Sequence, residues 1–239
     1  MKIRFFLAGL LAMSLFVSVS AQSGNNVVKG EGEIVKQEIS LSAIDGIQLS
    51  IAADVFLTQG KSQKVVIEAQ QNVFDNIKKE VRNGSWNIAY DKSVKNAKGV
   101  TIHITMATIE DIVLSGSGSI TTKGKFNDLD DVDIAMSGSG EIRFEADAEE
   151  VDLAMSGSGD VNLSGSGESL DIAISGSGDV NALSFSVKNC AVAVSGSGDV
   201  AVQVNGDLNV AVSGSGDVKY KGDARVQSRV VGSGDVVKI

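Results

Sequence analysis

The chain has 239 residues, a formal charge of −9, one cysteine and no proline. A single cysteine excludes an internal disulfide, and so acidic a surface excludes nucleic acid and anionic membrane surfaces as partners. The absence of proline suits a chain that is mostly paired strand, and aromatic residues at 5% leave no outward column of rings for stacking on sugars.

Residues 1–21 have the layout of a signal peptide. Met1-Lys2-Ile3-Arg4 is basic, residues 5–19 are apolar, and Val19-Ser20-Ala21 supplies a small-residue cleavage site before Gln22. The apolar run is too short to favour a membrane span, and no cysteine follows it to carry a lipid. Cleavage removes Lys2 and Arg4, which moves the formal charge from −9 to −11. Residues 22–33 are polar and glycine-rich and are expected to be a flexible lead-in. Residues 34–239 are expected to form one domain, irregular over 34–114 and regular over 115–239.

Alternation begins at Ile34 and places Ile39, Leu41, Ile47, Leu49, Ile51, Val55 and Leu57 on buried faces. Asp45-Gly46 and Gln59-Gly60 mark turns. Val73, Phe74 and Ile77 fall at helical spacing, predicting one short helix over 72–79 with Asn72 as its N-cap. Asn83-Gly84 predicts a hairpin turn. Strand alternation returns over 100–106, and residues 109–114 lead into the first repeat.

From there a near-copy of Ser-Gly-Ser-Gly-Asp-Val recurs seven times, beginning at Ser115, Ser137, Ser156, Ser175, Ser195, Ser213 and, degenerately, Val231. The spacings are 22, 19, 19, 20, 18 and 18 residues. Units this short cannot bury a core alone and must stack on their neighbours. Val132, Val151, Leu170, Cys190, Leu208 and Val226 share one column, and Ile112, Ile134, Leu153, Ile172, Val192 and Val210 another. Asp133, Asp152 and Asp171 alternate with them and face out, as do Ala135, Ala154, Ala173, Ala193 and Ala211. The outward alanines suit lateral crowding of stacked rungs, cover by the N-terminal segment, or a flat docking face for another chain. Each unit holds two strands and a variable corner, with room for a third short strand but not for a crossover helix. The predicted fold is therefore all-β: a single-stranded right-handed parallel β-helix with about 18–20 residues per coil.

The repeated corner needs residues that accept positive φ, and its two glycines supply them. Stacked serines are expected to bond rung to rung through their hydroxyls. The corner acids Glu141, Asp160, Asp179, Asp199, Asp217 and Asp235 line up as an acidic stripe, the one candidate binding site the pattern offers. Rungs lie ~4.8 Å apart, so each like-charged pair costs about 0.9 kcal/mol in water before screening. Backbone donors or cations would offset that cost. Calcium is the candidate ion, although calcium-binding nonapeptide rolls place the acid one residue further from the glycine.

Other chemistry is sparse. His103 is expected to face solvent from its strand, Cys190 to lie in the core, and Trp86 and Tyr90 to pack the N-terminal sheet. No catalytic or metal set is formed by them. The carboxylates recur at equivalent positions, whereas acid–base catalysis needs a few groups in different environments.

Three features together resemble the head GIN domain family of putative auto-transporter adhesins. They are Ile44-Asp45-Gly46-Ile47, Asp54-Val55-Phe56-Leu57-Thr58-Gln59-Gly60 and the successive Ser-Gly-Ser-Gly-Asp turns. The resemblance runs from about Ile39 to the C-terminus. It implies a right-handed β-helix with a surface-binding role, and it supplies no catalytic residues. The chain stops at Ile239 without barrel strands, so attachment to a surface would depend on something else. The terminal repeats, with Ser119 at the start and Ser228, Arg229 and Val231 at the end, are expected to act as caps.

The expected function is that of an exported, non-enzymatic binding or adhesive module in the periplasm or on the outer surface of a bacterium. Its partner would be an envelope or host-surface protein or glycan, with a homo-oligomer possible in principle. The alternatives are a carbohydrate-active β-helix enzyme and a calcium-stabilised structural repeat protein.

Overall fold

The computed structural model describes residues 27–239; the expected signal peptide lies outside them. In chain order come β1 (Val27–Lys29), β2 (Ile34–Ile39), β3 (Gly46–Leu49), β4 (Asp54–Gln59), β5 (Lys64–Gln70), helix α1 (Gln71–Asp75), β6 (Val81–Arg82), β7 (Ser85–Ile88), β8 (Ser93–Lys95) and β9 (Thr101–Met106). Alternation sets the buried faces: in β9, Ile102, Ile104 and Met106 are buried while Thr101, His103 and Thr105 lie nearer solvent. Part of the span expected to be a flexible lead-in is ordered strand, because β1 pairs in parallel with β8.

The helix is shorter than its periodicity predicts and is capped differently. Gln70, not Asn72, stands at the N-cap, with no side-chain cap bond. Asn72 instead donates to the carbonyl of Lys29 and accepts the amide of Glu31, so a tertiary contact to the first strand wins over the local cap. Val73 and Phe74 are buried in the core. The Asn83-Gly84 turn forms as expected, with φ of 50° and 78°, and joins antiparallel β6 and β7. Trp86 is fully buried and its indole N–H donates to the carbonyl of Lys78 at 2.9 Å. The two buried amides, Gln70 and Asn76, each both donate and accept a hydrogen bond.

The rest of the chain winds into a solenoid-like β-helix of about 7 turns. Its strands are β10 (Asp111–Gly116), β11 (Ser119–Thr122), β12 (Phe126–Gly138), β13 (Glu141–Gly157), β14 (Asp160–Gly176), β15 (Asp179–Gly196), β16 (Val200–Gly214), β17 (Val218–Lys221), β18 (Arg225–Gly232) and β19 (Val236–Lys238). Pairing between β13 and β14 is parallel and continues through the second corner, from Glu145↔Ser164 to Ala148↔Gly167, so the short third strand is present. The inward columns hold: Val132, Val151, Leu170, Cys190 and Leu208 stand in register and are buried. Burial raises the Cys190 thiol to about 12, which leaves it an apolar core group. Each buried Val, Leu or Ile stabilises by roughly 1.5–3 kcal/mol, which is how a thin column becomes a core. Size is balanced along the third side. Phe126, Ala146, Gly165 and Phe185 share one column, so large residues flank small ones.

One rung is laid out of chain order. β3 pairs with β7 on one side and β10 on the other, while β4 lies between β9 and β11. Leu49 pairs with Leu114 and Asp54 with Ser119, so Ser50-Ile51-Ala52-Ala53 occupies the corner equivalent to Ser115-Gly116-Ser117-Gly118. The region expected to be irregular therefore contains a further, divergent copy of the repeat. It also corrects the expected N-terminal cap, because Ser119 sits between two rungs and not at an edge. At the other end Ser228, Arg229 and Val231 lie on β18 in the last rung, where Arg229 and the neighbouring Arg225 put charge on an edge strand, which discourages further pairing.

The corner glycines serve two different purposes. From Gly138 on, only the first of each pair has a positive φ, for example 140° at Gly176 and 136° at Gly196; Gly116 in the first corner does not. The second is required by contact. A Cβ on Gly178 would collide with the carbonyl oxygen of Gly159 and the sulfur of Met155 in the rung before. Among the described residues no hydroxyl-to-hydroxyl bond links the stacked corner serines. Their backbone amides make the rung-to-rung bonds, as from Ser177 to the carbonyl of Gly157 at 2.9 Å. Gly196→Ala combines positive φ with a collision against the Gly176 carbonyl and is expected to lower stability by about 2 kcal/mol. Gly116→Ala, where a Cβ meets nothing within 4 Å, should change it by less than about 0.5 kcal/mol. Urea unfolding of the two variants checks the difference.

Candidate functional site

The predicted stripe exists, and it is longer than the repeats suggest. Register places Asp54, Ser119, Glu141, Asp160 and Asp179 in one column, and hydrogen bonds continue it through Asp199, Asp217 and Asp235. The Asp179 carboxylate accepts the backbone amide of Asp199 at 2.9 Å, Asp199 accepts that of Asp217, and Asp217 accepts that of Asp235. Earlier in the column the amides of Asp160 and Asp179 donate instead to the carbonyls of Gly140 and Gly159 at 3.1 Å. At the start of the line Ser119 donates its hydroxyl to Asp54 at 2.6 Å, and Arg143 pairs with Glu141 at 2.5 Å. Much of the like-charge cost is thus met by the chain's own donors, since a hydrogen bond to a charged acceptor is stronger than one between neutral groups.

A second acidic face lies on the strands that lead into the corner. Asp111, Asp133, Asp152 and Asp171 form one column, with Asp131 and Glu150 paired beside it. Asp133, Asp152 and Asp171 were visible in the sequence as an outward column. Asp131 and Glu150 were not, because only register sets them on the same face two residues earlier. One oxygen from each of Glu150, Asp152 and Asp171 lies within 4.8 Å of the others, the only such carboxylate set among the described residues. Three hard oxygens at that separation suit a divalent cation such as calcium. The stripe acids form no comparable set.

Electrostatics separates the two faces. Burial, then the neighbouring Asp171, Asp133 and Asp131, pushes the Asp152 carboxyl above its ordinary value. Burial and the surrounding aspartates do the same to Glu150, and burial raises Asp171. Burial, with Asp133 and Asp45, raises Asp111. This face therefore carries charge at a cost that no donor relieves as fully as on the stripe.

The remaining candidates are placed plainly. His103 lies on the outer face, 44% exposed, stacked on Phe56 at 5.3 Å and with Nε2 3.6 Å from Glu68. Tyr90 is half-buried, and burial raises its hydroxyl. Of the outward alanines, Ala154, Ala173, Ala193 and Ala211 are exposed, so no segment among the described residues covers them.

A carboxyl raised in the fold favours the protonated state there, so its contribution to stability is present below the unfolded value and lost as pH rises through the folded one. Asp152→Asn should therefore stabilise the protein at pH 7, by about 1 kcal/mol for relief of two cross-strand like-charge contacts, with Asp133 and Asp171. The gain should shrink on acidification and vanish below the ordinary aspartate value of 3.8. Thermal unfolding of both proteins at several pH values, compared as a difference, checks this.

A family model described as putative auto-transporter adhesin, head GIN domain, matches residues 43–224. No curated protein matches the chain. Among solved structures, a putative adhesin from Bacteroides fragilis NCTC 9343 superposes with a TM-score of 0.82 at 21% identity, over 89% of this chain and 100% of that one. A putative lipid binding protein from Parabacteroides distasonis ATCC 8503 gives 0.72 at 22% identity, over 89% and 99%. A putative adhesin from the same strain gives 0.71 at 22%, over 89% and 100%. At these identities the likeness carries the fold alone. The family match spans most of the chain on the same turns and strands that build the β-helix, and the protein belongs to the head GIN domain family of putative auto-transporter adhesins.

Proposed function

We propose that this protein is an exported, non-enzymatic binding module of the adhesin type, acting in the periplasm or at the outer cell surface. The observation that carries the proposal is the single line of corner residues, nearly all acidic, that runs rung after rung from Asp54 to Asp235. Such columns present the same group rung after rung, so a partner gains by lying across many rungs. Catalysis calls for the opposite, a few titratable groups in contrasting environments. The acids of the stripe share one position in the repeat, and those of the second face repeat across three or four rungs. The family supports a role outside the cytoplasm. No helix among the described residues is long and apolar enough to cross a membrane.

Beads coated with the full chain should adhere to bacterial or epithelial cell surfaces. Replacing Asp179 alone by Asn should leave adhesion within about twofold. Changing the acidic stripe together, Asp160, Asp179, Asp199 and Asp217 to Asn, should reduce it at least tenfold while the β-sheet circular dichroism persists. Adhesion that is absent from the start, or unaffected by the fourfold change, overturns the proposal.

A further inference from the structure

Beside the acidic stripe, on the outer face after the corner, the repeats open a polar groove of about 290 Å³. Its length is set by one column, Thr121, Arg143, Asn162 and Asn181, each in register with the next. Its far side carries Ser164 and Ser184, also paired. Asn162↔Asn181 is followed by Ser164↔Ser184, so β15 holds one residue more than β14 between them. This bulge breaks the repeat at the groove, and bulges bend a strand and re-aim its side chains. The polar stretch is bounded by Ala201, which follows Asn181 in register, and by Phe56, which precedes Thr121.

The groove residues hold spare hydrogen-bonding capacity. Asn162 uses one amide donor on Glu141 at 3.4 Å, and Asn181 uses its carbonyl oxygen on the amide of Leu183 at 3.3 Å. A side-chain amide offers two donors and two acceptor sites, so both asparagines keep groups free toward the groove among the described residues. The two serines add hydroxyls that donate and accept. Charge selects the occupant. Arg143 is already paired with Glu141, and among the described residues the flanking Glu145, Asp160 and Asp179 have no cationic side-chain partner, so the groove's border is net negative. An anionic chain would be repelled. An uncharged chain dense in hydroxyls would be satisfied at each rung, because the ~4.8 Å rung spacing is close to the length of one hexose in an extended polymer.

We propose that this groove binds a linear, uncharged glycan lying along the β-helix axis, recognised by amide and hydroxyl groups and not by ring stacking. The inference rests on the binding-module function and names its ligand class. Four rungs, from Thr121 to Asn181, line the groove, so about four sugar units fill it.

The test is titration calorimetry of the full chain with cello-, manno- and chito-oligosaccharides of two, four and six units, and with oligogalacturonates of equal length. At least one neutral series should bind, with affinity rising at least tenfold from two to four units and little thereafter, and oligogalacturonates should bind at least tenfold more weakly. Asn162→Ala combined with Asn181→Ala should weaken binding at least tenfold. Asn209→Ala, on the other outer face, should leave it unchanged, and circular dichroism of both proteins should match the parent. No binding by any neutral series, equal binding of the anionic series, no dependence on length, or unimpaired binding by the double variant overturns the inference. Adhesion that persists without oligosaccharide binding would sink the glycan groove and leave the adhesive role standing; oligosaccharide binding without adhesion would do the reverse.

Discussion

Rung-on-rung closeness is the constraint from which the rest follows. Parallel strands ~4.8 Å apart put each Ser-Gly corner directly over the last one, and from Gly138 on the carbonyl below occupies the space of a side chain at two positions per corner. Glycine is then compulsory at both, at one for backbone conformation as well and at the other for room alone. Once the corners stack, their amides fall into line and hold the windings together. The acids that follow inherit the same alignment, and their carboxylates find the amide of the next winding within reach.

Alignment also explains why two sets of acids on one molecule behave differently. Where the backbone turns, free amides point along the axis and meet the charge. Where the backbone runs as flat ladder, its amides are spent on strand pairing, and Asp152, Asp171 and Glu150 have mainly one another. Local geometry, and not charge count, decides which face is relaxed and which is held under repulsion. The relaxed line suits a rigid scaffold, while the other is the more responsive to protons, salt and cations.

The fold was largely legible because a period of 18 to 22 residues, with apolar residues alternating inside it, leaves few ways to wind. The inward columns, the hairpin at Asn83-Gly84 and the core position of Cys190 all came from that pattern. What escaped shows the limits of reading by similarity. Ser50-Ile51-Ala52-Ala53 keeps the corner without its glycines, since no Ser-Gly corner lies beneath it, so nothing in its letters marked it as a repeat. Asn72 had the right chemistry for a helix cap but was claimed by the first strand. The second acidic face needed register between strands, which places Glu150 beside Asp152 and over Asp131 only after the ladder is fixed. The groove depends on a single extra residue near Leu183, which the 20-residue spacing from Ser175 to Ser195 records but only strand pairing places.

The rung formed by β3 and β4 bears on how the molecule is made. Both of its edges stay open until β7 and β9 close one side and β10 and β11 the other. A chain folding from its N-terminus therefore has no finished template until Thr122 is available. Only then does growth become sequential, each later winding crystallising on the one before. Assembly accordingly has one slow, long-range step followed by rapid zippering, and a holding chaperone would find its work concentrated in the first half of the polypeptide.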